Sequence, residues 1–301
     1  METHSNDVFT IVTNRIIEQL ENHVIPWRKP WAEAGQPQNL ITKRLYTGIN
    51  TWLLGSLDYP QNYYLTFKQL KDSGGRLKNG EQGHLVIFWE KVVQPYKDNS
   101  TQEYRGKAEP GFYLVYNSAQ CERLPETLEI PFPSGPSFVP ATREEIVERM
   151  PNRPVIKHGK QQAFYDSKKD YINMPKQSTF ATPESYYTTL YHQLMFATGH
   201  QSRLNRKGIV ELNNKEVEPF SFEALVADIG ASYLNSVTGI HDTQFVTNVN
   251  GIDGWIEAFK RNKRMIVYAS SQAQRATDYI LNVQSQRRTE EAVVDKEVET
   301  Q

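Results

Sequence analysis

A chain of 301 residues, 38% hydrophobic and 23% charged, has a globular composition and is long enough for two cores at about 100–200 residues per domain. No apolar run reaches the roughly 20 residues of a membrane span, and the polar, acid-bearing stretch Met1 to Asp7 does not read as a secretory signal, so no membrane partner is expected and the cytoplasm is the expected compartment. Lys and Arg number 34 against 35 Asp and Glu, so nucleic-acid binding has to be sought in local patches, and the single cysteine, Cys121, excludes an internal disulfide and a cysteine-built zinc cage.

Asn6 to His23 carries Phe9, Ile11, Val12, Ile16, Ile17 and Leu20 at helical spacing and predicts an amphipathic helix. Pro26 and Pro30 stop it and bracket Trp27, Arg28, Lys29 and Trp31, which read as an exposed loop. A helix around Trp52-Leu53-Leu54 follows, then a short one from Thr66 to Ser73 that Gly74-Gly75 ends. His84 to Trp89 and Phe112 to Asn117 read as strands, with the charged stretch Tyr96 to Pro110 as the loop between them.

Composition changes at Pro125. Pro131, Pro133, Pro136 and Pro140 lie among Ser and Gly, which reads as a linker. Thr142 to Met150 predicts a short helix with the Thr142 hydroxyl at its N-cap, and Arg153 to Met174 a compact β-like stretch. Thr182-Pro183-Glu184 is a strong helix start: a hydroxyl cap, proline in the first turn and an acid at the positive end of the dipole. That helix runs through His192 and ends at Gly199. Further helices are expected over Phe222 to Ser236, Asp253 to Tyr268 and Ser270 to Val283, before a polar tail with little to bury. The expected fold class is α+β, with a small α+β domain over 1–125, a linker over 126–150, a mainly helical domain over 151–284 and a disordered tail over 285–301.

Two sets of residues carry candidate chemistry. In the first ninety residues, aromatic and basic side chains interleave, as single-strand binders require: cations for phosphates and ring faces for bases, each stack worth about 1–3 kcal/mol. The candidates are Trp27, Arg28, Lys29, Trp31, Lys43, Arg44, Tyr46, Asn50, Phe67, Lys68, Arg76 and Lys78. The plain alternative is that the tryptophans anchor a core and the lysines form a solvated face.

The segments that hold these residues resemble the N-terminal domain of ArdC-type antirestriction proteins. The matching pieces are Trp27-Arg28-Lys29-Pro30-Trp31, Tyr46-Thr47-Gly48-Ile49-Asn50, Leu65-Thr66-Phe67-Lys68-Gln69, the run from Gly74 to Glu81 and the run from Val115 to Cys121. The back half resembles the zincin-like metallopeptidase domain that accompanies it. There the matches are Asp170 to Pro175, Tyr186 to Leu190, Thr198-Gly199-His200, Ser202 to Arg206, and Glu223 with Leu225-Val226-Ala227-Asp228. The resemblance implies single-stranded DNA as a partner and a role in protecting incoming plasmid or phage DNA from restriction. A host restriction or defence protein is a second candidate partner.

In a helical H-E-x-x-H, two histidines on one face share a zinc ion and the glutamate serves as general base. Here the resembling helix reads His192-Gln193-Leu194-Met195-Phe196. The position of the third ligand is Ala224, while the acid that would steady the first histidine survives as Asp228. With a base and two ligands lost, the resemblance implies a retired metallopeptidase with no cofactor and no catalytic residue, leaving His192 and Asp228 as remnants. The competing reading is an active metal-dependent peptidase acting on a host defence protein. Its rearranged site would use His192, His200, Glu223 and Asp228, although Gly199 is expected to end the helix before His200. The plain alternative pairs a buried His192 with Asp228.

Overall fold

Apolar side chains at 8, 9, 12, 16, 17 and 20 commit the first segment to a helix, α1 (Ser5–Glu21), whose buried stripe is the one the periodicity predicts. His23 ends it in the left-handed region at φ 59, and the chain turns through a 3-10 turn at Pro26–Arg28. The computed structural model describes residues 5–28, 34–92, 107–124, 142–212, 216–241 and 251–283. Lys29, Trp31, most of the expected linker and the expected tail lie outside these residues.

The front sheet has the order β1-β2-β5-β4, from β1 (Gln38–Asn39), β2 (Tyr63–Thr66), β4 (His84–Val92) and β5 (Lys107–Asn117). The two long strands pair antiparallel from His84↔Val115 to Val92↔Lys107, as the sequence predicts for a hairpin. Helices α2 (Ile49–Gly55) and α3 (Phe67–Asp72) flank the sheet, and β3 (Arg76–Leu77) pairs with β6 (Cys121–Arg123). Both side-chain amide functions of Asn50 are used on the backbone of Ile87, fixing α2 to β4.

The back half begins with α4 (Arg143–Arg149), capped by Thr142 and Glu145 in a reciprocal box. Ile146, Val147 and Met150 are buried in its core, so the folded unit starts at α4 and not at residue 151 as expected. A three-stranded sheet, β7 (Val155–Lys157), β9 (Tyr171–Asn173) and β8 (Phe164–Asp166) in that order, leads into α5 (Pro183–Thr198) and α6 (Lys207–Val210). Then come α7 (Phe222–Val237), α8 (Ile252–Arg261) and α9 (Met265–Ile280). The last two helices divide at Asn262, whose side chain accepts from the Arg264 amide, and not near Ala269 as the sequence reading places it. A Cβ on Gly230 of α7 would lie 2.3 Å from the Met195 sulfur of α5, so the absence of a side chain there lets these two helices approach closely.

The two halves share a core. Residues of α1, Trp27, α2 and β4 pack into one cluster with Leu225, Val226, Ile229 and Tyr233 of α7, Trp255 and Phe259 of α8, and Ile266 of α9. Polar ties cross the same boundary: Tyr233 donates to the Gly48 carbonyl at 2.6 Å and the Thr13 hydroxyl to that of Lys263 at 2.6 Å. The two halves are therefore joined on their apolar side by a common core.

Candidate functional site

The corner where α5 faces α7 holds the residues the sequence marks as a former metal site. Thr182 caps α5 by accepting from the Ser185 amide, Pro183 occupies its first turn, and Gly199 ends it, which leaves His200 outside the helix. His192 and Phe196, one turn apart, meet edge to face at 4.9 Å, so an aromatic ring fills the place of the second ligand. Gln193 is buried and Ala224 offers no donor atom. Burial holds the His192 imidazole below its ordinary pKa, reinforced by the Arg28 guanidinium and opposed by Asp228.

Asp228 is the anchor of this corner, and its partners come from the front half. It accepts from the Trp27 indole N–H at 2.9 Å, and its carboxylate meets Arg28 Nη2 at 2.9 Å and Nε at 3.1 Å. The pair is nearly dry, with side-chain exposures of 13% and 5%. Trp27 is only 1% exposed and lies edge-on to Trp52, Trp255 and Phe259. The expectation of an exposed Trp27 and Arg28 for stacking and phosphate contact is thus corrected: the indole is a core anchor and the guanidinium belongs to a buried ion pair.

The rearranged set of ligands does not assemble. Glu223 accepts from Arg206 Nε at 2.9 Å, and Arg206 also donates to Thr198 and the Met195 carbonyl. His200 shares a hydrogen bond with Ser202 at 2.8 Å and lies near Asp170, which is itself held by Arg203 and Tyr165. Among the described residues, no three of His, Cys, Asp and Glu group in a way suited to a metal ion. The zincin fold implies such an ion, and the side chains here do not fit it: an imidazole, an amide, a phenyl ring and a methyl group stand where donors and a base are needed.

Elsewhere in the front half, hydrogen bonds tie the Lys43 turn to the start of α3 in a face that carries several of the remaining candidates. The Asn39 side chain accepts from the amides of Ile41 and Thr42, shaping the turn that presents Lys43 and Arg44. Its amide also donates to Gln69, which closes a capping box with Thr66 at the start of α3. That start presents Phe67, a ring 54% exposed, with Lys68 beside it. Tyr116 of β5 lies 6.3 Å from Phe67, and Arg76 and Lys78 are exposed on the adjoining β3 edge and turn. Tyr46 is buried against Tyr64, and Asn50 is spent on Ile87, so neither reaches this face. Tyr116 was not among the expected site residues; its signal is the two-residue period of β5, with Val115 buried and Tyr116 turned the other way.

Two family models match the chain and define its class. Residues 6–124 match the N-terminal domain of anti-restriction factor ArdC, and residues 143–272 match a zincin-like metallopeptidase. Solved relatives have the same fold: crystal structures of the antirestriction ArdC protein from the R388 plasmid, metal-free and Mn(II)-bound, are 28% identical. They superpose with TM-scores of 0.67 and 0.68, over 91% of this chain and 96% and 97% of theirs. The uncharacterized protein y4eC of Sinorhizobium fredii is 28% identical over 93% of both chains. A DNA primase TraC of Escherichia coli is 28% identical over 96% of this chain, which spans only 28% of that protein. The chain thus combines an ArdC-type N-terminal domain with a zincin-like domain, in the same order and fold as the ArdC antirestriction protein it resembles.

Proposed function

We propose that this chain binds single-stranded DNA on the face around Phe67 and so shields incoming plasmid or phage DNA from restriction enzymes. The observation that carries the reading is Phe67 itself. Phe67, 54% exposed at the start of α3 with Lys68 beside it, offers a ring face on which a base can stack, and the exposed side chains of Lys43, Arg76 and Lys78 in the same half supply cations for phosphates. The back half serves as scaffold and does not hydrolyse peptides. Gln193 cannot take a proton, and Arg28 and Arg206 occupy the acids that a rearranged metal site would recruit.

The test is an anisotropy titration of the full chain with a fluorescent oligo-dT. Phe67→Ala should lower affinity about tenfold, in keeping with one lost stack, and affinity should fall as salt rises. Wild-type affinity in Phe67→Ala, with the fold intact, removes this face from the account.

A further inference from the structure

The short sheet of the back half carries a second surface with the same two ingredients. Registered neighbours share a face, so Val155, Tyr171 and Asp166 lie on one side with Lys157, Asn173 and Phe164, while Ile156, Ile172 and Tyr165 turn to the core. The outward side is chemically unusual. Phe164 and Tyr171 meet edge to face at 5.9 Å, with Lys160 held 5.0 Å above the first ring and Lys157 4.5 Å above the second. Val155 is 62% exposed among them.

The loop between β7 and β8 is fixed. The Asn173 side chain accepts from the amides of Gly159 and Lys160 and donates to the carbonyls of Lys160 and Gln162. Beyond Lys160 a cleft of about 640 Å³ opens, lined by His158, Lys160, Lys176, Thr179 and Phe180. Between Arg153 and Phe180 there are six Lys and Arg and two acids, in a chain whose totals are 34 and 35. Asp170 is taken up by Arg203, and on the face and its cleft Lys157, Lys160 and Lys176 stand against Asp166, a net excess of cations.

We propose that the outer face of β7-β9-β8 and its adjoining cleft form a second binding surface for single-stranded nucleic acid. Lys157, Lys160 and Lys176 contact phosphates, and bases stack on Tyr171 and Phe164 once the lysine ammonium groups move from the rings to the backbone of the strand. Charge selects a polyanion, and paired rings select one with flat apolar faces. The ligand class rests on the reading given for the front face; the surface is a separate one.

Anisotropy titrations of the full chain with fluorescent oligo-dT test it, using Lys157→Glu/Lys160→Glu for the back face and Lys43→Glu/Lys68→Glu for the front. Photocrosslinking of the unmodified chain to oligo-dT containing iododeoxyuridine needs no variant and decides the matter if one misfolds. The expected result is about a tenfold loss of affinity in the back variant, a log-log salt slope shallower by about 1.4, and cross-links at Tyr171 or Phe164. Wild-type binding by the back variant and no cross-link there, with binding lost in the front variant, overturns this inference and spares the front reading. If the unmodified chain does not bind oligo-dT, both fall. An unchanged affinity in Tyr171→Ala beside a loss in the charge variant marks a bare polyanion patch and overturns the proposal as well.

Discussion

Arg28 and Asp228 show how one ion pair can join two halves of a chain. Both side chains are nearly buried, so removing one partner leaves an uncompensated charge, and Arg28→Ala should destabilise the protein by about 3–5 kcal/mol in urea unfolding. A loss below about 1 kcal/mol would show that water satisfies Asp228. His192 and His84 make a second expectation. Burial depresses both pKa values below 6.5, with Arg28 adding to the first and Arg15 to the second. In each case the unfolded chain takes the proton first. Their contribution is therefore complete above pH 6.5 and lost as pH falls below it toward the folded-state values. Unfolding free energy should decline over that range, and His192→Asn should make the decline shallower; an unchanged slope would mean that His192 stays as solvated as in the unfolded chain. Gln193, Phe196 and Ala224 can be read from the sequence at the positions where the resemblance expects a base and two ligands. The burial of Trp27 cannot be read there, because a tryptophan between two prolines looks the same in sequence whether it faces water or a helix 200 residues away.

Helix ends were the most legible elements, because their chemistry is local. Thr182-Pro183 and Thr142 cap the helices the sequence assigns to them. The break between α8 and α9 carries little signal in the sequence: neither Gly nor Pro marks it, only an asparagine that ends one helix and caps the next turn. Strands β1 and β2 went unseen, since two and four residues are too few for alternation to show and Tyr63 to Leu65 are all buried. The start of α3 has the clearest consequence at this scale. Thr66 accepts from the Gln69 amide, and Gln69 accepts from both Thr66 and Asn39, so one box positions Phe67 and the Lys43 turn together. Thr66→Ala should cost about 1 kcal/mol by chemical denaturation and weaken oligo-dT binding with it. A loss of stability without any change in binding would separate the helix start from the DNA face.

Across the whole molecule, the α+β class and the order of the two halves are legible in the sequence, and the core they share is not. Apolar stripes predict which face of a helix is buried but not its partner, so the packing of α1 against α7, α8 and α9 as well as against the front half is not readable from its sequence. This shared core is what brings Trp27 and Arg28 to the zincin-like corner. A protein cation there engages the acid that would otherwise support a metal-binding histidine, and Phe196 fills the place of the second donor. The measurement that tests this replacement most directly is thermal unfolding of the full chain with stoichiometric Zn(II), with Mn(II) and with a chelator. The same melting temperature is expected in all three, because one imidazole does not hold an ion against water. A melting temperature raised by stoichiometric Zn(II) or Mn(II), and restored to its metal-free value by His192→Ala, would contradict it.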